Sequence, residues 1–120
     1  MILIEAKENS PYICLDPSQH YMIMKGNSFM ANPSQFYSSL NTWLMGYRVP
    51  EGEMFRIDIT MGYYNTSSIQ IMNLFLKTIN RNNPGKVSLK FFIDKEEEDL
   101  AESANTLVFN TGLTPTIELF

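Results

Sequence analysis

The sequence is poor in the residues that most metal, redox and disulfide sites need. Its 120 residues include a single cysteine, Cys14, and a single histidine, His20. One cysteine excludes an intramolecular disulfide and a thiolate cluster for zinc, and it is typical of a reducing compartment. Because a metal site would have to be built from carboxylates alone, we expect neither a metal nor another cofactor.

Positive charge and long apolar runs are also scarce. Nine Lys and Arg against thirteen Asp and Glu give a net charge of −4, whereas binding to a phosphate backbone needs a basic surface. No apolar run approaches the roughly 18 residues of a membrane span, and Glu5 interrupts the opening Met-Ile-Leu-Ile too early for a signal peptide. We therefore expect a cytoplasmic protein that binds no nucleic acid and does not insert into a membrane.

Length and composition fit one domain, residues 1–120. The hydrophobic share of 44% is close to the globular norm of about 45–50%. A chain of this size buries only about two-thirds of the surface that it exposes when unfolded. It therefore has little room for a second domain or a large enclosed active site.

The first half of the chain predicts a β-hairpin followed by a helix. Tyr12–Leu15 and Tyr21–Lys25 are β-prone, and Asp16-Pro17-Ser18-Gln19-His20 between them favours a type I turn. Asn32 is a good N-cap, and Pro33 suits the first helical position. The apolar positions that follow recur at spacings of three and four, which is helical: Phe36, Leu40, Trp43, Leu44 and Tyr47.

The second half alternates strand and helix patterns. Strands are predicted where apolar residues alternate with polar ones, from Phe55 onward and over Val87–Ile93, and a short strand over 116–120 closes the chain. Asp94 is predicted to cap the last helix. The apolar positions of the two helices are Ile69, Met72, Phe75, Leu76 and Ile79, and then Leu100, Ala104, Leu107 and Val108.

The predicted order is therefore ββαβαβαβ. Strand–helix–strand units imply parallel neighbours joined by right-handed crossovers, and the opening hairpin adds antiparallel pairing. The sequence predicts an α/β domain with a mixed sheet and helices packed on it.

No set of residues suggests catalysis. His20 could act as a general base, but no nucleophile is identifiable beside it, and a solvated turn histidine explains it better. Cys14 lies mid-strand among apolar residues, where a buried inert thiol is usual. The acidic run Glu96–Asp99 lacks the glycine and the alternating oxygen ligands of a calcium loop and is typical of a solvated helix start. The six glycines are scattered, so there is no phosphate-binding loop. We do not expect an enzyme.

The most distinctive segment is Tyr63-Tyr64-Asn65-Thr66-Ser67-Ser68, where a predicted strand hands over to a helix. In open α/β sheets functional groups gather at such positions, and helix N-termini stabilise anions. Helix capping is one explanation for these polar residues, since hydroxyl and amide side chains commonly cap. A modifiable or partner-facing patch is the other, because one cap does not require three consecutive hydroxyls. The pattern does not reveal which hydroxyl would cap.

The string Tyr64-Asn65-Thr66-Ser67-Ser68 after an alternating strand resembles the signature of the SiaC-like regulatory phosphoproteins. This bacterial family was formerly known only as a domain of unknown function. The likeness runs from about Ser10 to Phe120. Further landmarks follow the family's order: Ser10-Pro11-Tyr12-Ile13 is similar to its Thr-Pro-x-Ile, Lys25-Gly26-Asn27-Ser28 to its Gly-x-Ser step, and Phe36-Tyr37 with Trp43-Leu44 to its Phe-Tyr and Trp-Leu helix.

The chain departs from the family at one step. The family usually continues Gly-x-Ser with an aromatic or aliphatic residue and then Pro-Glu-Asn, whereas Phe29 here precedes Met30-Ala31-Asn32. A partner contact made by that glutamate is missing, which leaves the identity of the downstream partner open.

The resemblance implies a layout similar to the STAS anti-sigma-factor antagonists and a phosphorylation switch. In those domains a hydroxyl residue at a helix N-terminus is phosphorylated by a kinase and released by a PP2C-type phosphatase. In the SiaC-like family the modified residue is the threonine of the tetrad, which falls on Thr66. The unmodified form is thought to bind and activate a diguanylate cyclase, which implies a role in cyclic di-GMP signalling and biofilm regulation.

The functional expectation is thus a non-enzymatic signalling protein switched at Thr66. Asn65, Ser67 and Ser68 are expected to support the turn, and Tyr63 and Tyr64 to flank it as a possible partner surface. The alternative is a small STAS-like binding or structural domain in which the Asn-Thr-Ser-Ser turn is only a helix cap. The sequence does not indicate the oligomeric state.

Overall fold

The computed structural model describes all 120 residues as one six-stranded sheet with four helices. The strands are β1 (Ile2–Ile4), β2 (Tyr12–Asp16), β3 (Tyr21–Ser28), β4 (Phe55–Tyr64), β5 (Val87–Ile93) and β6 (Thr116–Leu119). The helices are α1 (Pro33–Phe36), α2 (Ser38–Gly46), α3 (Thr66–Asn82) and α4 (Glu98–Val108).

The spatial order of the strands is their order in the chain, β1-β2-β3-β4-β5-β6. Pairing is antiparallel from β1 to β3 and parallel from β3 to β6. This confirms the predicted mixed sheet and α/β class. The predicted element order was incomplete, because β1 adds an antiparallel strand before the hairpin.

Two predicted helix boundaries were wrong. The helix after Asn32 is divided at Tyr37 into α1 and α2, and there the Ser38 hydroxyl donates to the carbonyl of Gln35 at 2.9 Å. Such a side-chain bond competes with the helical pattern. The last helix begins after Glu97 rather than at Asp94, whose carboxylate accepts from the backbone N–H of Glu96 in a separate turn.

The core lies between the helices and one face of the sheet. On β4, Ile57 and Ile59 are fully buried, whereas Asp58 and Thr60 point to the opposite face and remain partly accessible. Each crossover from β3 to β6 moves one strand in the same direction, so right-handed connections place all the helices on one side. The opposite face of the sheet carries no helix.

None of the four helices combines the length and the apolar character that crossing a membrane requires.

Candidate functional site

The candidate site lies at the carboxyl end of β4, where the chain enters α3. Strands β3 and β4 are parallel, so their carboxyl ends lie side by side at the same end of the sheet. The backbone N–H of Asn65 donates to the carbonyl of Ser28 at 2.9 Å, which ties the turn to the end of β3. This hydrogen bond therefore fixes the backbone of the polar segment at Asn65.

A β-bulge immediately before the turn decides which tyrosine is exposed. Gly26 pairs with Met61, but Ser28 pairs with Tyr64, so β4 carries one extra residue. The backbone N–H of Tyr63 donates to Oδ1 of Asn27 at 2.9 Å within this bulge. A bulge re-aims the side chains that follow it, and here Tyr63 is 60% exposed whereas Tyr64 is only 4% exposed. Tyr63 is available to a partner and Tyr64 is not.

Asn65 is the residue that caps α3. Its side-chain Oδ1 accepts from the backbone N–H of Ser68 at 2.9 Å, and its backbone is extended. The cap is therefore none of the three hydroxyl residues that the sequence left open. The hydroxyls of Thr66 and Ser67 are exposed and form no hydrogen bond within the chain. Their backbone N–H groups, in the first turn of the helix, have no intrahelical acceptor either.

Ser68 faces inward and closes a buried chain of hydroxyl groups. Oγ of Ser28 lies 2.7 Å from the hydroxyl of Tyr37 and donates to Oγ of Ser68 at 2.8 Å. Oγ of Ser68 in turn donates to the sulfur of Met30 at 3.7 Å. Ser68 is fully buried, so its role is to hold the turn against β3 and α1 and not to contact a partner.

The tyrosines beneath the turn stay uncharged at neutral pH. Burial raises the pKa of Tyr37 to about 12, although its hydrogen bond with Ser28 acts in the opposite direction. Burial, and then the neighbouring Tyr37, raises the pKa of Tyr64 well above its usual value. The Tyr64 hydroxyl is buried without a hydrogen-bond partner. The floor of the turn thus offers hydrogen bonds but no charge and no general base.

The residues tested for catalysis are not brought to the turn. His20 ends the β2–β3 turn, at the opposite end of the strands from the Thr66 turn. Its Nδ1 lies 3.1 Å from the Tyr47 hydroxyl and the residue is half-buried, so the prediction of a solvated histidine was wrong. Cys14 is half-buried on the helix-free face and not fully buried as expected. No group of three or more His, Cys, Asp or Glu side chains is placed to hold a metal ion.

Met30 and Phe29 add contacts that the sequence did not suggest. The Met30 carbonyl accepts from Nδ2 of Asn65 at 3.4 Å, so the segment that departs from the family's Pro-Glu still supports the cap. The Phe29 ring packs edge-on against Tyr63, with ring centroids 5.8 Å apart, and both are exposed. The one sequence signal for this arrangement was Gly62 inside a strand pattern, which often marks a bulge.

Removing the cap should weaken α3 without disturbing the core. Asn65→Ala deletes the acceptor for the Ser68 N–H, and we expect the free energy of unfolding to fall by about 1 kcal/mol. Urea unfolding followed by circular dichroism measures this. Asn65→Asp retains an acceptor oxygen at the same position and should lose much less; equal losses in both variants would contradict the capping role.

The sequence matches the family described as SiaC family regulatory phosphoprotein over residues 4–116. The chain belongs to the SiaC family. It is also 26% identical, over 103 residues, to the uncharacterized protein PA14_02130 of Pseudomonas aeruginosa strain UCBPP-PA14, a match that covers 84% of this chain and 82% of that protein.

Solved structures of the SiaC family share the fold. The chain matches a crystal structure of apo-SiaC from Pseudomonas aeruginosa with a TM-score of 0.81, covering 98% of this chain and 97% of that one. It matches a chain in the structure of the diguanylate cyclase SiaD in complex with its activator SiaC, from the same organism, with a TM-score of 0.85 over the whole of both chains. Sequence identity is 22% in both cases, so these likenesses show the fold alone.

Proposed function

We propose that this chain is a non-enzymatic signalling protein whose binding to partner proteins is controlled by phosphorylation of Thr66. A protein kinase transfers a phosphoryl group from a nucleoside triphosphate to Oγ1 of Thr66, and a PP2C-type phosphatase hydrolyses it. The unmodified form binds the downstream partner, for which we propose a diguanylate cyclase.

The observation that carries the proposal is the division of labour within the Asn-Thr-Ser-Ser tetrad. Asn65 supplies the cap and Ser68 supplies the buried contact, whereas Thr66 is exposed and bonded to nothing. A turn that served only as a helix cap would need no hydroxyl at Thr66, because the cap is already made. This favours the switch over the alternative of a plain structural turn.

The turn has the electrostatics to carry a phosphate without unfolding. A phosphate adds a charge of about −1.5 to −2 and three strong acceptors. The first turn of α3 contains no acidic residue, and the free N–H groups of Thr66 and Ser67 point toward the helix start. A negative charge there is stabilised by about 0.3–1 kcal/mol at an exposed helix N-terminus. Phosphorylation should therefore change the surface and leave the fold intact.

The surroundings of Thr66 suit a protein partner. The exposed pair Phe29 and Tyr63 lies next to the turn and gives an apolar anchor of the kind that interfaces favour. SiaC of Pseudomonas aeruginosa is an activator found in complex with the diguanylate cyclase SiaD. That relationship supports a cyclase as the partner class of this chain.

Phosphate mapping tests the proposed site directly. The chain purified from its native cells, with phosphatase inhibitors present, should carry one phosphate that peptide mass spectrometry locates on Thr66. Thr66→Ala should lose this phosphate, whereas Ser67→Ala, which removes the other exposed hydroxyl of the turn, should keep it. A phosphate found on Ser67 in the parent chain, or one that persists in Thr66→Ala, would refute the assignment.

A further inference from the structure

Strand β6 is an open edge of the sheet. It is the last strand in the spatial order, and all four of its residues are exposed. Ile117 is 46% and Leu119 is 61% exposed, and both lie on the helix-bearing face because they pair with the buried Phe91 and Ile93. Proteins protect such edges with very short strands, with charged side chains, especially lysine, or with proline. Strand β6 is four residues long, contains no lysine or proline, and its one charged residue, Glu118, is paired with Lys90.

The backbone of β6 has N–H and C=O groups that are not hydrogen-bonded to another strand. Phe120 donates its N–H to Ile93 and accepts from Lys95, so its polar groups point inward to β5. The backbone N–H and C=O groups of successive residues point alternately to the two sides of a strand. Those of Glu118 therefore point to β5, like those of Phe120, whereas those of Ile117 and Leu119 point outward. They face solvent with no strand beyond them.

We propose that β6 binds β6 of a second copy of this chain, antiparallel, so that two six-stranded sheets join into one. The pattern of free groups is self-complementary. In this register Ile117 lies opposite Leu119 of the partner subunit, and Leu119 lies opposite the partner's Ile117, so both outward-facing residues of each copy are paired. Each such pair exchanges two hydrogen bonds in an antiparallel ladder. The same register brings the exposed Ile and Leu side chains together on one face, as cross-strand pairs require. The assembly has two-fold symmetry and closes at two copies.

The charge on β6 does not prevent this register. Glu118 lies on the other face of the sheet and would meet Glu118 of the partner subunit at the two-fold axis. Each Glu118 is held by Lys90 of its own copy, with an N–O distance of 2.9 Å, so two acids and two lysines meet with no net charge. The contact is short, which predicts a weak dimer that forms reversibly with concentration.

The dimer would leave the Thr66 turn free. That turn starts α3 at the end of β4, two strands away from the edge. Since the two copies of β6 run antiparallel, their two Thr66 turns lie at opposite ends of the joined sheet. Self-association and the proposed switch are therefore separate properties, and either can fail without the other.

Sedimentation velocity of the purified chain from about 10 µM to about 1 mM, a range suited to a weak interface, tests the proposal. The expected result is a rise from monomer to dimer with concentration. Leu119→Lys should weaken the dimer at least tenfold by placing a charge opposite the partner's Ile117. Leu74→Lys is the matched control, because Leu74 is 59% exposed but lies on α3, and it should dimerise like the parent.

Amide hydrogen exchange adds a readout specific to the edge. The amides of Ile117 and Leu119 should exchange more slowly as concentration rises, whereas the Glu118 amide, which points to β5, should be protected already in the monomer. A chain that stays monomeric over the whole range would overturn the proposal. So would equal weakening by Leu74→Lys, or growth past the dimer into polymers, which would indicate head-to-tail pairing of β6 with β1.

Discussion

Thr66→Glu is expected to lower the affinity for the proposed partner, a diguanylate cyclase, about 100-fold, which corresponds to roughly 2.7 kcal/mol. A partner docked over the turn must remove the new carboxylate from water, and burying a charge without a counter-charge costs several kcal/mol. The helix start would stabilise the same charge in the free chain. The affinity for the partner should therefore fall, whereas the free energy of unfolding should stay level or rise slightly.

Isothermal titration calorimetry with the purified cyclase, together with its rate of cyclic di-GMP synthesis, measures the loss. Thr66→Gln is the matched control, because it has the size of glutamate without the charge, and Thr66→Ala removes the hydroxyl alone. Both should bind the partner within a few-fold of the parent. If Thr66→Gln loses as much affinity as Thr66→Glu, size and not charge decides the contact, and the electrostatic switch is wrong.

The framework of the fold could be predicted from local patterns. Alternation in β4 and β5 and the three–four spacing in α3 come from burial on one side of each element, which the sequence reports directly. Strand β1 was missed because Ile2–Ile4 is only three residues long and is followed by Glu5. Its strand character depends on pairing with β2, a contact distant in sequence.

Helix boundaries were harder to predict than the presence of the helices. Asp94 looks like an N-cap because its side chain is suited to the role, yet its carboxylate binds the N–H of Glu96 and α4 starts later. Tyr37 interrupts the predicted first helix while its hydroxyl reaches Ser28 on β3. At Asp94 the boundary is decided by a local turn that its own side chain closes. At Tyr37 the local bond from Ser38 to Gln35 acts together with the contact to β3.

The location of the candidate site could be predicted, but the role of each of its residues could not. The sequence placed the polar tetrad at a strand-to-helix junction, and the structure confirms that junction. The cap on Asn65 is a local contact with the backbone N–H of Ser68, and asparagine is a preferred cap, so this signal was present in the sequence although the hydroxyl residues were considered instead. The buried position of Ser68 could not be assigned, because it depends on the contact with Ser28 on β3. The difference in exposure between Tyr63 and Tyr64 likewise depends on the bulge.

Gly62→Ala is expected to lower the free energy of unfolding by about 3 kcal/mol, the upper end of the usual cost of overpacking. A Cβ built on Gly62 would lie 2.6 Å from Oδ1 of Asn27 and closer still to the backbone carbonyl of Gly26. Rotating a side chain cannot relieve a clash with backbone, so β3 and β4 must separate at the bulge. The bond from the Tyr63 N–H to Asn27, 2.9 Å long, would be lost with them.

Because this bulge sets the exposure of Tyr63 and the position of Asn65, the substitution should also disturb the turn that carries Thr66. Chemical denaturation measures the stability, and the amide shifts of residues 63–68 report the turn. Gly46→Ala is the control: a Cβ there meets nothing within 4 Å, and alanine at this helical position should leave the protein as stable as the parent or slightly more so. A loss below about 1 kcal/mol in Gly62→Ala would mean that the bulge yields easily, and that the outward position of Tyr63 does not depend on the close approach of the two strands.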